Sequence, residues 1–516
     1  MSAITDLRKK GQLDQAYQLG QQTLQASPND IWIKREFGWV CYDLMKQALA
    51  NNDEEQFYAH INEIAALGFN IAQEQMLFEN IWWQIVKWVC AINAQENVAV
   101  RNERINRLLD GIEDLPRYAP SEAYSTFIQA IHRRSKDSML YVEFMRRVNL
   151  SLLRPEDSRP SVFNDQQLMP LLEQILYAYS KAILRDINYY RTQNDNEKLE
   201  QLVAEARCHT RRLKAALGQN PEYNYTLYYI AKLLMAVNEN SAAIAQLMPF
   251  VRKKHQDFWI WNTLAQALKE TDLQTAMSCC CKGLLCKAQE DKTVGLLETA
   301  AKFFAACGYW DACKTEVTIA DNTRMKHWGR HISDQEILAL MEQPEYRNAT
   351  VNSDNNRSFY ANHLDAAEQM TYADLARPIL ITFVNKEKHI ANFIDADDRR
   401  GFFRYDKVLL EAPKTNEVYT VVIERIANEC FNLVWGKKST DVPTDTPFFI
   451  KVQGFVKHIP ENRFAFVDNM FISAELVKAN NLEDGDTIEA IAIKSYDRKK
   501  NRLGWAIHEI TACTKE

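Results

Sequence analysis

Residues 11–30, GQLDQAYQLGQQTLQASPND, form the stretch that decides the fold of the N-terminal part of the chain. Four positions in it follow one another at spacings of two, three and twelve residues: Gly11, Leu13, Ala16 and Pro28. In that order they provide a turn, a packing residue, a small residue where two helices touch, and a proline that ends the unit. The pattern predicts a pair of antiparallel helices. Gly38, beside Phe37, lies where the next pair again needs a small residue.

These positions resemble the second helix of a tetratricopeptide (TPR) repeat. Farther along the chain, three alanines recur at intervals of 33 and 36 residues, each just after a short polar break: Ala243, Ala276 and Ala312. One helix pair cannot bury its own apolar face, so neighbouring pairs must stack. Residues 1–345 are therefore predicted to be a TPR-like α-solenoid of helical repeats. The resemblance implies a surface that binds a protein partner.

The sequence pattern changes after residue 345. A polar run without a period predicts a linker with a short helix over residues 346–376. From Pro378 onward, short runs of β-branched and aromatic residues are separated by Gly, Asp, Asn and Lys, which is typical of strands and tight turns. Residues 377–438 (barrel 1) and residues 446–516 (barrel 2) are predicted to form two small β-barrels. The predicted fold class is multidomain α + β, an α-solenoid followed by two barrels.

Barrel 2 carries the most specific motifs: Gly454-Phe-Val-Lys, Arg463-Phe-Ala-Phe-Val, Met470-Phe-Ile-Ser and Leu482-Glu-Asp-Gly. In order and spacing they resemble the strands of a cold-shock domain, and the later half is similar to the RNA-binding OB domain of the transcription terminator Rho. Ala465 and Ser473 stand where the cold-shock pattern has a glycine and a histidine. The resemblance implies an OB-fold that binds single-stranded nucleic acid. Barrel 1 looks like a more divergent OB copy.

Unpaired bases expose flat faces that stack on aromatic side chains, at about 1–3 kcal/mol per base. Alternate residues of a strand share a face, so Phe464 and Phe466 are predicted to point the same way, with Phe471 beside them on the next strand. The other nucleic-acid-binding residues predicted in barrel 2 are Lys457, His458, Arg463, Arg498, Lys499, Lys500 and Arg502. Those predicted in barrel 1 are Phe393, Arg404 and Tyr405. The alternative is that the phenylalanines only pack into a partner domain.

Charge and cysteine content restrict the class of protein. The net charge is −6, and residues 440–516 contain ten Lys/Arg against twelve Asp/Glu, which argues against indiscriminate binding of nucleic acid by charge. The chain has eleven cysteines, an odd number, and its N-terminus has no apolar signal core. Reduced thiols in a cytoplasm fit this pattern better than disulfides. We expect a cytoplasmic protein that does not interact with membranes.

The sequence contains no motif of a P-loop, a nucleophile elbow, a dinucleotide site or a kinase. The cysteines at 279–281 lack the paired spacing of a metal site, and the aspartates at 395, 397 and 398 are typical of a turn. We therefore expect no enzyme activity, no metal, no cofactor and no small-molecule substrate.

Residues 141–157 and 171–184 resemble the helical region of bacterial proteins that occur with TOTE conflict systems, which are proposed anti-invader loci. Together the patterns favour a non-enzymatic adaptor whose barrels bind single-stranded RNA or DNA, with RNA the favoured strand, and whose solenoid binds a protein. The main alternative is a pure protein-interaction scaffold in a bacterial defence or stress system. An unrecognised enzyme, such as a nuclease, is the third hypothesis.

Overall fold

The computed structural model describes residues 2–93, 95–409, 411–439, 446–459, 461–497 and 502–515. They form two compact units, Met1–Tyr360 and Ala361–Glu516. The first unit is helical and the second contains two closed five-stranded barrels, so the fold class predicted from the sequence is confirmed.

The helical unit consists mainly of helices, most of which pack against the next helix along the chain. They are α1 (Ala3–Lys9), α2 (Leu13–Ala26), α3 (Ile31–Ala50), α4 (Glu54–Ala66), α5 (Gln75–Ala91), α6 (Val98–Gly111), α7 (Glu122–Ser135), α8 (Tyr141–Arg147), α9 (Leu171–Gln193), α10 (Asn196–Gln219), α11 (Thr226–Ala236), α12 (Asn240–Lys253), α13 (Phe258–Leu268), α14 (Leu273–Leu284), α15 (Glu290–Ala306), α16 (Trp310–Trp328), α17 (Gln335–Met341) and α18 (Pro344–Asn348). Between α8 and α9 lie two 3-10 turns and a hairpin: Leu150–Leu152, Pro155–Ser158, β1 (Ser161–Phe163) and β2 (Gln166–Leu168).

Polar residues in the sequence set several helix starts. The carboxylate of Asp30 accepts hydrogen bonds from the backbone N–H groups of Trp32 and Ile33, at 2.8 and 3.3 Å. The Ser121 hydroxyl accepts one from the N–H of Tyr124 at 3.1 Å. Such caps satisfy N–H groups that have no partner within the helix. In one of the short polar breaks before the recurring alanines, the Asp272 carboxylate caps α14 in the same way, accepting from the N–H of Thr275 at 3.0 Å.

The predicted close approaches between helices are present. A Cβ atom built on the predicted Gly38 of α3 would lie 3.1 Å from the ring of Phe69 and 3.2 Å from Leu77. Gly20 of α2, which was not predicted, is still tighter, because a Cβ atom there would lie 2.6 Å from the ring of Phe37. Ala16 is fully buried on the same helix. The three recurring alanines lie near the starts of α12, α14 and α16 and are buried in each case: Ala243, Ala276 and Ala312. The three alanines recur at a repeat-like spacing because each is a buried residue near the start of its helix.

The polar run predicted as a linker is partly packed against the last long helix. The backbone N–H of Asn352 donates to the Thr315 hydroxyl at 2.8 Å. The fully buried side chain of Asn356 donates to the carbonyl oxygen of Ala312 at 2.9 Å and to Glu316 at 2.6 Å. The boundary between the two units follows Tyr360, inside α19 (Arg357–Asn362).

The second unit begins with α20 (Asp365–Tyr372) and continues with ten strands and one further helix. Barrel 1 consists of β3 (Arg377–Asn385), β4 (Ile390–Asp395), β5 (Arg400–Arg404), β6 (Val418–Ala427) and β7 (Cys430–Lys438). Barrel 2 consists of β8 (Phe449–His458), β9 (Ala465–Val467), β10 (Met470–Ile472), β11 (Thr487–Asp497) and β12 (Arg502–Thr514), with α21 (Ala474–Ala479) after its third strand.

The two barrels share one topology. In each, the five strands close in the order 1-2-3-5-4, counted along the chain. The third and fifth strands are parallel in both, with Phe402 opposite Cys430 in barrel 1 and Phe471 opposite Ala506 in barrel 2. The remaining pairs are antiparallel. Barrel 1 therefore repeats barrel 2 strand for strand, although few residues match.

Alternation along the strands fills each barrel with apolar side chains. The barrel 1 core includes Ile379, Ile381, Phe393, Phe403 and Val421, and the barrel 2 core includes Val456, Ala465, Val467, Ile472 and Ile488. Helix α20 packs on barrel 1, where the rings of Tyr372 and Trp435 stack at 5.9 Å and the Trp435 N–H donates to Glu368 at 2.7 Å. Among the described residues, no helix combines the length and the apolarity needed to cross a bilayer.

Candidate nucleic-acid interface

Three phenylalanines form a cluster on the outside of barrel 2, and we call Phe464, Phe466 and Phe471 the phenylalanine platform. The ring centroids of Phe464 lie 5.6 Å from those of both other rings, and the rings of Phe466 and Phe471 are 6.0 Å apart. Phe466 is 37% exposed and Phe471 43% exposed, while Phe464 is half-buried. The structure thus places all three rings together at the surface.

Local sequence explains why these rings face outward. Phe466 on β9 lies directly opposite Phe471 on β10, and the fully buried neighbours Ala465, Val467 and Ile472 fill the core on the other face. The two-residue turn between the strands consists of Asp468 and Asn469, with φ angles of 45° and 65°. Asp and Asn tolerate this left-handed conformation, and it suits the twist of a tight hairpin. The hairpin therefore holds two rings side by side.

Two cationic side chains border the platform. Lys457 on β8 lies opposite Phe466 and is exposed, as is Arg463 just before β9. Within the described part of the chain, neither forms an ion pair with a carboxylate. Sequence analysis missed Phe455, which is two residues before Lys457, points to the same face and is 69% exposed. The period of two along β8 was the signal that could have identified it.

The remaining residues predicted in barrel 2 are placed differently. His458 lies opposite the buried Ala465, and its ring Nε2 is 3.0 Å from the carbonyl oxygen of Asn462. Its side chain is therefore turned away from the platform, which corrects its expected position beside the rings. Arg502 is exposed at the start of β12. The other three predicted basic residues, Arg498, Lys499 and Lys500, lie outside the described residues.

In barrel 1 the predicted base-contacting rings are buried. Phe393 is 2% exposed and Tyr405 4% exposed, and both belong to the barrel core. A Cβ atom on Gly401 would lie 2.9 Å from Phe393 and 2.5 Å from Phe431, so the rings fill all the space around this glycine. The prediction that Phe393 and Tyr405 contact bases is wrong, because the period of two puts them on the inner face.

The outward face of barrel 1 carries other residues. Phe383 on β3 lies opposite Asn392 on β4, which lies opposite Phe402 on β5, and we call these three the barrel 1 row. Phe383 is 43% exposed and Phe402 half-buried. The predicted Arg404 lies on this face, two residues beyond Phe402, and pairs with Asp406 at 3.1 Å. The row could not be predicted from the sequence, because an irregularity between Ile381 and Phe383 shifts the inward and outward alternation of side chains within β3.

Among its described residues, the helical unit contains one group of metal-ligating residue types that the sequence analysis missed. The carboxylate of Glu63 lies 2.9 Å from Nδ1 of His60 and 3.4 Å from Sγ of Cys41, and it accepts a hydrogen bond from the Tyr17 hydroxyl. Burial and the neighbouring carboxylate raise the pKa of the Cys41 thiol, which disfavours the thiolate that a metal requires. The cluster is accounted for by hydrogen bonds to one carboxylate.

Comparison with protein families assigns the class of the second unit. Residues 377–429 match the model "S1/CSD-like domain 1 of the TOTE conflict systems", and residues 450–510 match "S1/CSD-like domain 2 of the TOTE conflict systems". The two barrels of the C-terminal unit therefore each match an S1/CSD-like domain model. Residues 224–367 match a domain of unknown function, DUF7017. This match begins just before α11 and includes the segment packed on α16.

Solved structures similar to this chain are repeat proteins. They include the TPR2AB domain of yeast Sti1 in a pHSP90 complex (12% identity, 60% of this chain and 97% of that chain, TM-score 0.21). The TPR domain of P58(IPK) has 13% identity, covers 72% of this chain and 97% of itself, and gives a TM-score of 0.21. A circular tandem repeat protein has 11% identity, covers 72% of this chain and 89% of itself, and gives a TM-score of 0.26. No curated protein matches the chain.

Proposed function

We propose that this protein is a non-enzymatic adaptor that binds single-stranded nucleic acid through its barrels and a protein partner through its helical unit. The observation that carries the proposal is the phenylalanine platform, three clustered rings at the surface of an S1/CSD-like barrel. Bases of any identity stack on such rings. RNA is the expected strand, since barrel 2 resembles the RNA-binding domain of Rho.

The platform is tested by fluorescence anisotropy of the full chain with labelled single strands of RNA and DNA. Each stacked ring contributes about 1–3 kcal/mol, so replacing Phe464, Phe466 and Phe471 with Ala is expected to weaken binding by about 100-fold or more. Tyr189→Ala removes an equally exposed ring from the helical unit and serves as the control. Unchanged affinity in the triple variant, with circular dichroism showing a folded protein, would contradict the proposal.

A protein partner for the helical unit is supported by an exposed aromatic and basic surface near its N-terminus. Trp32 is 69% exposed, and the guanidinium of Arg35 lies 4.9 Å from the centroid of its ring. Exposed Trp and Arg side chains dominate the energetics of many protein interfaces. Affinity capture with wild type and with Trp32→Ala, each with and without nuclease, tests this part. A single stoichiometric protein that resists nuclease and depends on Trp32 is expected.

The absence of enzyme activity and a cytoplasmic location are parts of the same proposal. The thiols of Cys279, Cys280 and Cys281 are buried, as expected for small apolar residues rather than ligands or nucleophiles. Burial raises the pKa of each. Metal-dependent cleavage of RNA or DNA by the purified protein, lost on chelation, would contradict the non-enzymatic assignment.

A further inference from the structure

We infer that the two barrels bind one nucleic-acid strand together, with barrel 2 providing the phenylalanine platform and barrel 1 providing a second aromatic surface and further charge that neutralises phosphates. The inference rests on the proposed function, since it concerns how the same kind of strand is bound. The inference goes beyond the proposed function in two ways. It assigns a second binding surface, the barrel 1 row with Arg404, and it makes the pair of barrels the binding unit.

The barrels are joined by a buried apolar interface. Leu380 and Val418 of barrel 1 pack with Phe448 and Ile493 of barrel 2, and all four side chains are at most 6% exposed. At the edge of this contact, the guanidinium of Arg400 lies 3.9 Å from the ring centroid of Tyr496, and Lys494 forms an ion pair with Asp398. Apolar, aromatic and ionic contacts together fix the position of one barrel against the other. A ligand that contacts both surfaces therefore meets a preformed arrangement.

On barrel 2, strand register connects the platform to this interface. Phe471 lies opposite Ala506 on β12, and Ala506 lies opposite the interface residue Ile493 on β11. Adjacent strands are about 4.8 Å apart, so the platform begins about 10 Å from the interface.

On barrel 1, register connects the outward row to the same interface. Leu380 lies opposite Ile394, and Ile394 lies opposite Arg400, so these three side chains form the interface side of the barrel. Phe402 is two residues beyond Arg400 on β5, which is about 7 Å along the strand. Each of the two aromatic surfaces thus begins within about 10 Å of the same interface.

Charge is divided unequally between the two barrels. Residues 377–438 contain eleven Lys/Arg against nine Asp/Glu, whereas residues 440–516 contain ten against twelve. Neutralisation of phosphates supplies much of the affinity for nucleic acid, and an acidic barrel contributes little of it. Exposed Arg404 and the turn residues Lys386 and Lys388 lie on barrel 1 beside the row. A strand held by the platform, beside Lys457 and Arg463, gains further charge contacts by extending onto barrel 1.

The salt dependence of binding distinguishes base stacking from phosphate neutralisation. For a single strand, each phosphate contact contributes about 0.7 to the slope of log affinity against log salt concentration. With oligouridylate long enough for both barrels, Arg404→Gln is expected to reduce this slope by about 0.7. Phe466→Ala with Phe471→Ala is expected to lower affinity and leave the slope unchanged. Lys478→Ala, which removes one exposed charge from α21 of barrel 2, is the matched control and should change neither quantity.

Strand length provides the second measurement. One OB-fold covers about 4–16 nucleotides, so wild type should bind a strand that reaches both barrels much more tightly than one that covers only barrel 2. Phe383→Ala with Phe402→Ala should remove this gain and leave the short strand unaffected. The inference is overturned if both barrel 1 variants match wild type at every length and salt concentration while the platform variant loses binding. If the platform variant keeps full affinity, the proposed function itself fails.

Discussion

Glu316 is a carboxylic acid buried inside the helical unit. It is fully buried on α16, and burial raises the pKa of its carboxyl group to about 7, although hydrogen bonds from Tyr360 and Asn356 act in the opposite direction. Its Oε2 has no hydrogen-bond partner among the described residues. The folded protein therefore favours the neutral acid, while the unfolded chain ionises this group near pH 4.3.

Glu316→Gln is predicted to stabilise the helical unit at alkaline pH. Because the folded pKa is raised, the stability that the neutral acid provides is present at about pH 4 and is lost as the pH rises towards 7. Gln mimics the neutral acid at every pH, so the gain should be negligible at about pH 4 and on the order of 3 kcal/mol at about pH 8. Denaturant unfolding of both proteins at several pH values measures this gain in the free energy of unfolding. A gain that does not depend on pH would contradict the assignment to ionisation.

At the scale of the element, the inter-barrel interface depends on one isoleucine of β11. Ile493 is 4% exposed and packs against Leu380, Val418 and Phe448. Ile493→Ala is expected to lower the free energy of unfolding of the barrel unit by about 2–5 kcal/mol, since it leaves a cavity between the barrels. Ile426→Ala, at a 67% exposed position of β6, should change it by less than about 0.5 kcal/mol. Chemical denaturation of both variants makes the comparison, and equal effects would show that the interface contributes no stability.

Strands also show where sequence reasoning succeeds and where it fails. In barrel 2 the small and aliphatic neighbours Ala465 and Val467 mark the inner face, so the outward direction of Phe466 could be predicted. In barrel 1 the sequence Gly-Phe-Phe-Arg does not show whether Phe402 or Phe403 faces outward. Only the pairing with β4 identifies Phe402 as the outward residue. Pairing is a non-local property, and a bulge in β3 changes it without any sign in composition.

Local sequence spacing also could not predict that Cys41, His60 and Glu63 come together. His60 and Glu63 are three residues apart on α4, which local spacing identifies as one face of a helix. Cys41 comes from α3, and only the packing of the two helices brings its sulfur to the carboxylate. Repeat spacing predicted that the helices pair, but not which polar side chains meet between them.

The whole molecule divides into two units that should unfold separately. Each has its own buried core, and the units meet in the chain at Tyr360 and Ala361. Calorimetry of the full chain is therefore expected to resolve two transitions. Glu316→Gln at about pH 8 should shift only the transition of the helical unit, and Ile493→Ala only that of the barrel unit. A single transition shifted by both variants would contradict this independence.

The burial of the cysteines has a practical consequence for following the protein in solution. All eleven lie in described parts of the chain, and two of them are exposed: Cys90 in the helical unit and Cys513 in the barrel unit. Maleimide dyes should therefore label the native protein first at one position in each unit. Energy transfer between donor and acceptor fluorophores at these two positions would report whether the distance between them changes when RNA is added, without any engineered attachment point.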